Sequence, residues 1–174
     1  MANLFIDVLR NYVTAKKFRL HDFVVMPNHF HLQLTLDGDM TIEKAVGLVK
    51  GNFSYRAKKE LGCRFEIWQP GFSDERVWDR ESFLRHRSYI DNNPVKAGLA
   101  DCPENYPYGS AYFRKRKRLT GPEGQFIQIP FRHDFAALAC ARARRSSHAL
   151  TLVSLVETFT TYHTGSSRSA FLFS

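Results

Sequence analysis

The sequence predicts an α+β domain built on an antiparallel sheet. Three observations predict it. An amphipathic helical repeat opens the chain, two strand-like runs follow across a tight turn, and helical and extended stretches then alternate up to about residue 112.

Leu4, Phe5, Val8, Leu9, Tyr12 and Val13 recur at helical spacing, which predicts a helix over residues 2–16. FRLHDFVV, residues 18–25, is aromatic and β-branched enough for a strand. MPN makes a turn, and a second strand starts at His29. In it Phe30, Leu32, Leu34 and Leu36 point one way, while His29, His31, Gln33 and Thr35 point the other. Asp37 to Asp39 turn the chain, and Thr41 is placed to cap a second helix. Its apolar stripe is Ile42, Ala45, Val46, Val49 and Phe53. Lys44, Lys50, Arg56, Lys58 and Lys59 lie largely elsewhere on it, and Gly62 is the stop signal. Residues 65–78 read as an extended segment broken at Pro70-Gly71. Asp79 caps a third helix to about Asn92, with Pro94 just past its end. Near residues 113–120 the composition shifts. The expected division is a first domain over 1–115 and a basic, poorly structured tail over 116–174, in which Leu152, Leu155, Val156 and Phe159 suggest one late helix.

Composition narrows the function classes. With 44% hydrophobic residues in 174, the chain is expected to bury a core rather than stay disordered. No apolar run approaches the roughly 18 residues of a membrane span, and the first residues do not read as a secretory signal. Cys63, Cys102 and Cys140 are isolated, which suggests neither a disulfide framework nor a CxxC site, so a reduced, cytoplasmic protein is expected. Lys and Arg number 25 against 17 Asp and Glu, a net charge of +8 that suits a nucleic-acid partner.

Two stretches carry chemistry. His29 and His31 are two apart on a strand, so their imidazoles leave one face with Cα atoms roughly 6.5–7 Å apart. Both could reach one metal ion; they could equally be ordinary histidines on a half-exposed strand. Structural zinc would want cysteines at close spacing, which are missing. On the third helix Arg85, Tyr89 and Asn93 are four apart and share a face. They offer a cation for phosphate, a phenolic oxygen and an amide carbonyl. The alternative is a core or rim aromatic at Tyr89 and a helix C-cap at Asn93 before Pro94.

FVVMPNHFHLQLT, LVKGNFSYRAKKELG, IWQPGFSDERV, YIDNNPVKAGLA and YPYGSA occur in this order and cover roughly residues 3–112. Together they resemble the IS200-like transposases, the single-tyrosine members of the HUH endonucleases, and within them the REP-associated tyrosine transposases. The resemblance implies a ferredoxin-like antiparallel sheet with helices on one face, and a tyrosine helix laid across the other. It implies Tyr89 as nucleophile, with His29, His31 and Asn93 as ligands of Mg²⁺ or Mn²⁺. The implied substrate is single-stranded or hairpin DNA, cut through a 5′-phosphotyrosine bond by a monomer or homodimer. Activity would then fall below about pH 6.5, where free histidine protonates. Lys50, Arg56, Lys58, Lys59, Arg85, Arg114, Lys115 and Arg116 are expected along the DNA backbone. Trp68 could stack a base or sit in the core.

Two features depart from the family. The strand that normally precedes the first helix, and is central in the sheet, is not read in the sequence, and nothing after YPYGSAYF resembles the family. Two functions follow: an active nuclease and strand transferase, or a catalytically silent remnant that still holds hairpin DNA.

Overall fold

The computed structural model describes residues 1–120 and 151–158. The order is α1 (Ala2–Thr14), β1 (Arg19–Val25), β2 (His29–Leu36), α2 (Ile42–Leu61), β3 (Ser73–Arg76), α3 (Arg80–Lys96), a short 3-10 turn, α4 (Ser110–Thr120) and β4 (Thr151–Thr158). The strands form one antiparallel sheet in the order β1-β2-β4-β3. The α+β expectation holds.

The local signals act as read. Thr41 accepts a hydrogen bond from the Lys44 amide at 3.3 Å, and Gly62 ends α2 at φ +67°, where a side chain would be strained. Asp79 and Ser82 cap α3 reciprocally. Two boundaries differ. Pro94 lies inside α3, not past it. A proline in the last turn forfeits only one amide, and the helix still closes through Ala97 N to Asn93 O at 3.0 Å and Leu99 N to Pro94 O at 2.9 Å. Leu152, Leu155 and Val156, expected in a late helix, lie in a strand instead. Their spacing fits either state, and a run this short is decided by what lies beside it.

The apolar face of β2 meets α1 and α2. Phe30 packs against Phe5 with ring centroids 4.6 Å apart, and Phe53 and Trp68 close the cluster. The opposite face is polar in composition but not exposed. His31, Gln33 and Thr35 are all buried: α3 crosses His31 and Gln33, and His21 meets the Thr35 hydroxyl at 2.7 Å. This overturns the half-exposed strand. A β-bulge between Leu20 and Asp22 puts two consecutive β1 residues, His21 and Asp22, on this same side.

β4 pairs with β2 over its whole length, from His29↔Thr158 to Leu36↔Thr151, and with β3 from Ser73↔Val156 to Arg76↔Val153. The central place that the resemblance gives to a strand ahead of the first helix is thus held by β4. Without it β2 and β3 would each present an unpaired edge. The outer edge of β1 is met by the segment before α4, through Val25 N to Tyr108 O at 2.9 Å and the Tyr106 hydroxyl donating to Val25 O at 2.8 Å. The boundary expected at 115/116 falls within α4, and Phe159 with the remainder of the expected tail lies outside the described residues. Among the described residues no helix is long and apolar enough to cross a membrane.

Candidate active site

Four of the expected site residues converge where α3 crosses β2. The rings of His29 and His31 are 5.0 Å apart and mutually perpendicular. The Tyr89 ring stands edge-on to His31, with centroids 5.3 Å apart. One turn on, the Asn93 amide lies 3.1 Å from His31 Nε2. Asn93 is not the helix cap; α3 ends at Ala97, so the Asn93 side chain projects from a regular turn toward the histidines. Exposure divides the group. His31 is 2% exposed, whereas Tyr89 is 49% exposed and open to a large substrate.

Burial pushes His31 down to about 4, and the neighbouring His29 adds to the effect. Burial also lowers His29, partly offset by a hydrogen bond from Asn93. Both rings are therefore neutral near pH 7, the form in which an imidazole can ligate. Acid loss of any ligand function moves below the expected value of about 6.5. The same shift makes a stability prediction for the metal-free chain. As pH falls from 6.5 toward 4, the unfolded chain takes up a proton that folded His31 refuses. Folding should weaken by roughly 3 kcal/mol across that window. Thermal melts in chelator would check this: His31→Gln should lose less of its midpoint over that range than the wild type.

Two neighbours escaped the sequence reading. Asn28, seen only as a turn residue, has Oδ1 2.7 Å from His29 Nδ1. Accepting that N–H leaves His29 Nε2 with a free lone pair. Lys96 brings Nζ within 5.1 Å of the Tyr89 ring centroid. Its place seven residues after Tyr89, about two helical turns, was the available signal.

The expected DNA-binding residues divide. Arg85 is exposed one turn before Tyr89. Lys50, Arg56, Lys58 and Lys59 are on α2, which packs on the other face of the sheet. Arg56 is held by both carboxylate oxygens of Glu60, at 2.6 and 3.0 Å. Lys50 reaches Gln69 O at 3.4 Å and overlies Trp68. Trp68 is 8% exposed and donates its indole N–H to Ser54 Oγ at 2.8 Å, so it is a core residue and not a base platform. Arg114 is part-buried and bonded to Asp22 and Asp91, which occupies its fork. Lys115 and Arg116 are exposed on α4, and Arg116 donates to the Tyr112 hydroxyl at 2.8 Å.

The sequence profile of the family described as "Transposase IS200 like" matches residues 1–93, slightly more than half of the chain. The chain belongs to the IS200-like transposase family. It is similar to a REP-associated tyrosine transposase of Escherichia coli K12, 28% identical over 97 residues, covering 55% of each chain. It is also similar to a Haemophilus influenzae protein provisionally named a REP-associated tyrosine transposase, 29% identical over 111 residues, covering 57% of this chain and 61% of that one. The match thus spans little more than half the length of these relatives. No solved structure matches the chain at comparable significance.

Proposed function

We propose that this IS200-like protein is a metal-dependent endonuclease and strand transferase of the HUH type, acting on single-stranded DNA beside hairpins such as repetitive extragenic palindromes. The observation that carries the reading is the exposed Tyr89 standing against the His29–His31 pair, with His31 buried, His29 partly exposed and Asn93 one turn on.

Tyr89 is the nucleophile. Its oxygen attacks the scissile phosphorus in line, an O–P bond forms, and the bond to the 3′ oxygen breaks. The phenolic proton passes to solvent and the departing 3′ oxygen takes one up. The 5′-phosphotyrosine that remains is a phosphodiester like the one broken, so a free 3′-hydroxyl can reverse the step without ATP. His29 and His31 through Nε2, and Asn93 through its amide oxygen after a half-turn of the amide, would hold Mg²⁺ or Mn²⁺. Among the described residues no group of three or more His, Cys, Asp and Glu gathers to hold a metal, so the third ligand would be this amide. Neutral imidazoles beside a hard oxygen donor fit such an ion. Bound there, it would neutralise charge on the scissile phosphate.

Lys96 and Arg85 flank Tyr89 on α3 and are placed to contact the phosphates on either side. Replacing both with alanine should reduce the salt dependence of single-strand binding by roughly 1.4 in log Kd against log salt, about 0.7 per lost contact. Replacing Lys58 and Lys59, across the sheet, should leave that slope unchanged. Fluorescence anisotropy over a salt series measures both.

The test of the function is covalent trapping. The full chain is mixed with labelled single-stranded hairpin DNA and Mn²⁺ and run on a denaturing gel. An adduct that a chelator abolishes is expected. A folded chain that shifts the hairpin on a native gel but never forms an adduct would sink the cleavage reading and leave a hairpin-binding remnant.

A further inference from the structure

A largely buried cluster of four charges, with Asp22 at its centre, joins β1, α3 and α4 beside the site. Asp22, fully buried on β1, accepts from Arg87 Nε at 2.9 Å and from Arg114. Arg114, on α4, also bonds Asp91 on α3, and Ser110 Oγ lies 3.1 Å from Arg114 Nη1. Two carboxylates and two guanidiniums cancel in charge, which is what permits their burial. The β1 bulge puts Asp22 on the same side as His21, toward the helices; in unbroken alternation from Leu20 it would point into the core instead.

The cluster's position gives it a further role. Arg87 and Asp91 lie two residues either side of Tyr89. Two residues along a helix is a turn of about 200°, so the clamp grips one flank of α3 while Tyr89 and Asn93 project from the other. Between the flanks, buried Ile90 and Pro94 pack α3 down with apolar contacts, which do not fix rotation about the helix axis. The charged hydrogen bonds on the clamped flank are directional and do. A roll of about 10° carries atoms about 6 Å from the axis by roughly 1 Å.

We propose that Asp22 is a positioning residue: through Arg87 and Arg114 it sets the rotation of α3, and so places Tyr89 and Asn93 against the histidine pair. The proposal rests on the nuclease reading above. It also turns Arg114 from a residue expected on DNA into one that anchors α4 to the tyrosine helix.

The test compares wild type with Asp22→Asn, which keeps the shape and removes the charge. Three quantities are read on the full chain: the single-turnover rate of adduct formation at saturating hairpin DNA, the hairpin Kd by anisotropy, and amide hydrogen exchange without DNA or metal. A misplacement near 1 Å should slow adduct formation about 100-fold. The Kd should change less than about threefold, and exchange should quicken in residues 85–93 but not in α2. Should Asp22→Asn melt below the assay temperature, Arg114→Lys replaces it; it keeps the charge and loses the fork, and about a tenfold slower rate is expected. An unchanged rate in a folded variant overturns the proposal. So does a joint loss of rate and affinity with faster exchange everywhere, which is ordinary destabilisation. If the wild type forms no adduct, the nuclease reading fails on its own, and exchange confined to α3 still decides whether Asp22 holds that helix.

Discussion

Tyr89→Phe is expected to erase the covalent protein–DNA adduct while leaving the fold and hairpin affinity nearly intact. Phenylalanine keeps the ring that meets His31 edge-on and the face that Lys96 overlies. It removes only the oxygen that would bond to phosphorus. No hydroxyl takes its place at that point of α3, so the adduct should fall by at least about 10⁴-fold, the scale on which enzymes lose activity with their nucleophile. Tyr89 is half exposed, so its hydroxyl contributes little to stability, and Kd should move less than about threefold. Denaturing and native gels on the same samples separate the two quantities. An adduct that survives would point to another tyrosine. Tyr55, 65% exposed, is the other strongly exposed tyrosine among the described residues, but it is on α2, across the sheet from the histidines.

The second large effect is expected in the sheet. Leu155 lies in β4 opposite Leu32 of β2 on one side and Asp74 of β3 on the other. With both neighbours paired, its amide must donate to one of them. Leu155→Pro removes that donor from a central strand and imposes a ring where the ladder has no room. A cost of about 3 kcal/mol or more is expected. In a chain of this size that lowers the thermal midpoint on the order of 6–12 °C. Loss of adduct formation should follow the loss of fold, because β2 carries both histidines and would keep only β1 beside it, losing β4 along its whole length. Circular dichroism melts of wild type and variant measure the shift. An unchanged midpoint would mean that β4 is not needed to hold β2 in place.

Much of the architecture was legible because its causes are local. Thr41, Gly62 and Asp79 mark helix ends by satisfying or terminating backbone hydrogen bonds within a few residues, and each acts as its type predicts. The alternation after His29 sorted β2 into an apolar and a polar side, which the core confirms for Phe30, Leu32, Leu34 and Leu36. Spacing alone put His29 and His31 on one face, and Arg85, Tyr89 and Asn93 on another. The misplaced polar side chains share one origin. A polar side chain reads as exposed, yet burial depends on what crosses it. His31 and Gln33 are buried because α3 lies over them. Arg114 reads as part of a basic run, yet two acidic residues distant in sequence hold it.

The sequence by itself therefore determined which residue types were available for chemistry and on which element each one sits, since helix and strand periods are properties of the chain's own backbone. The tertiary structure alone decided that Tyr89 and Asn93 meet the histidine pair, that α2 carries its lysines away from it, and that residues 151–158 fill the centre of the sheet. These depend on pairing segments far apart in the chain, and on the burial that pushes His31 down to about 4. Neither quantity is written in the spacing of neighbouring residues.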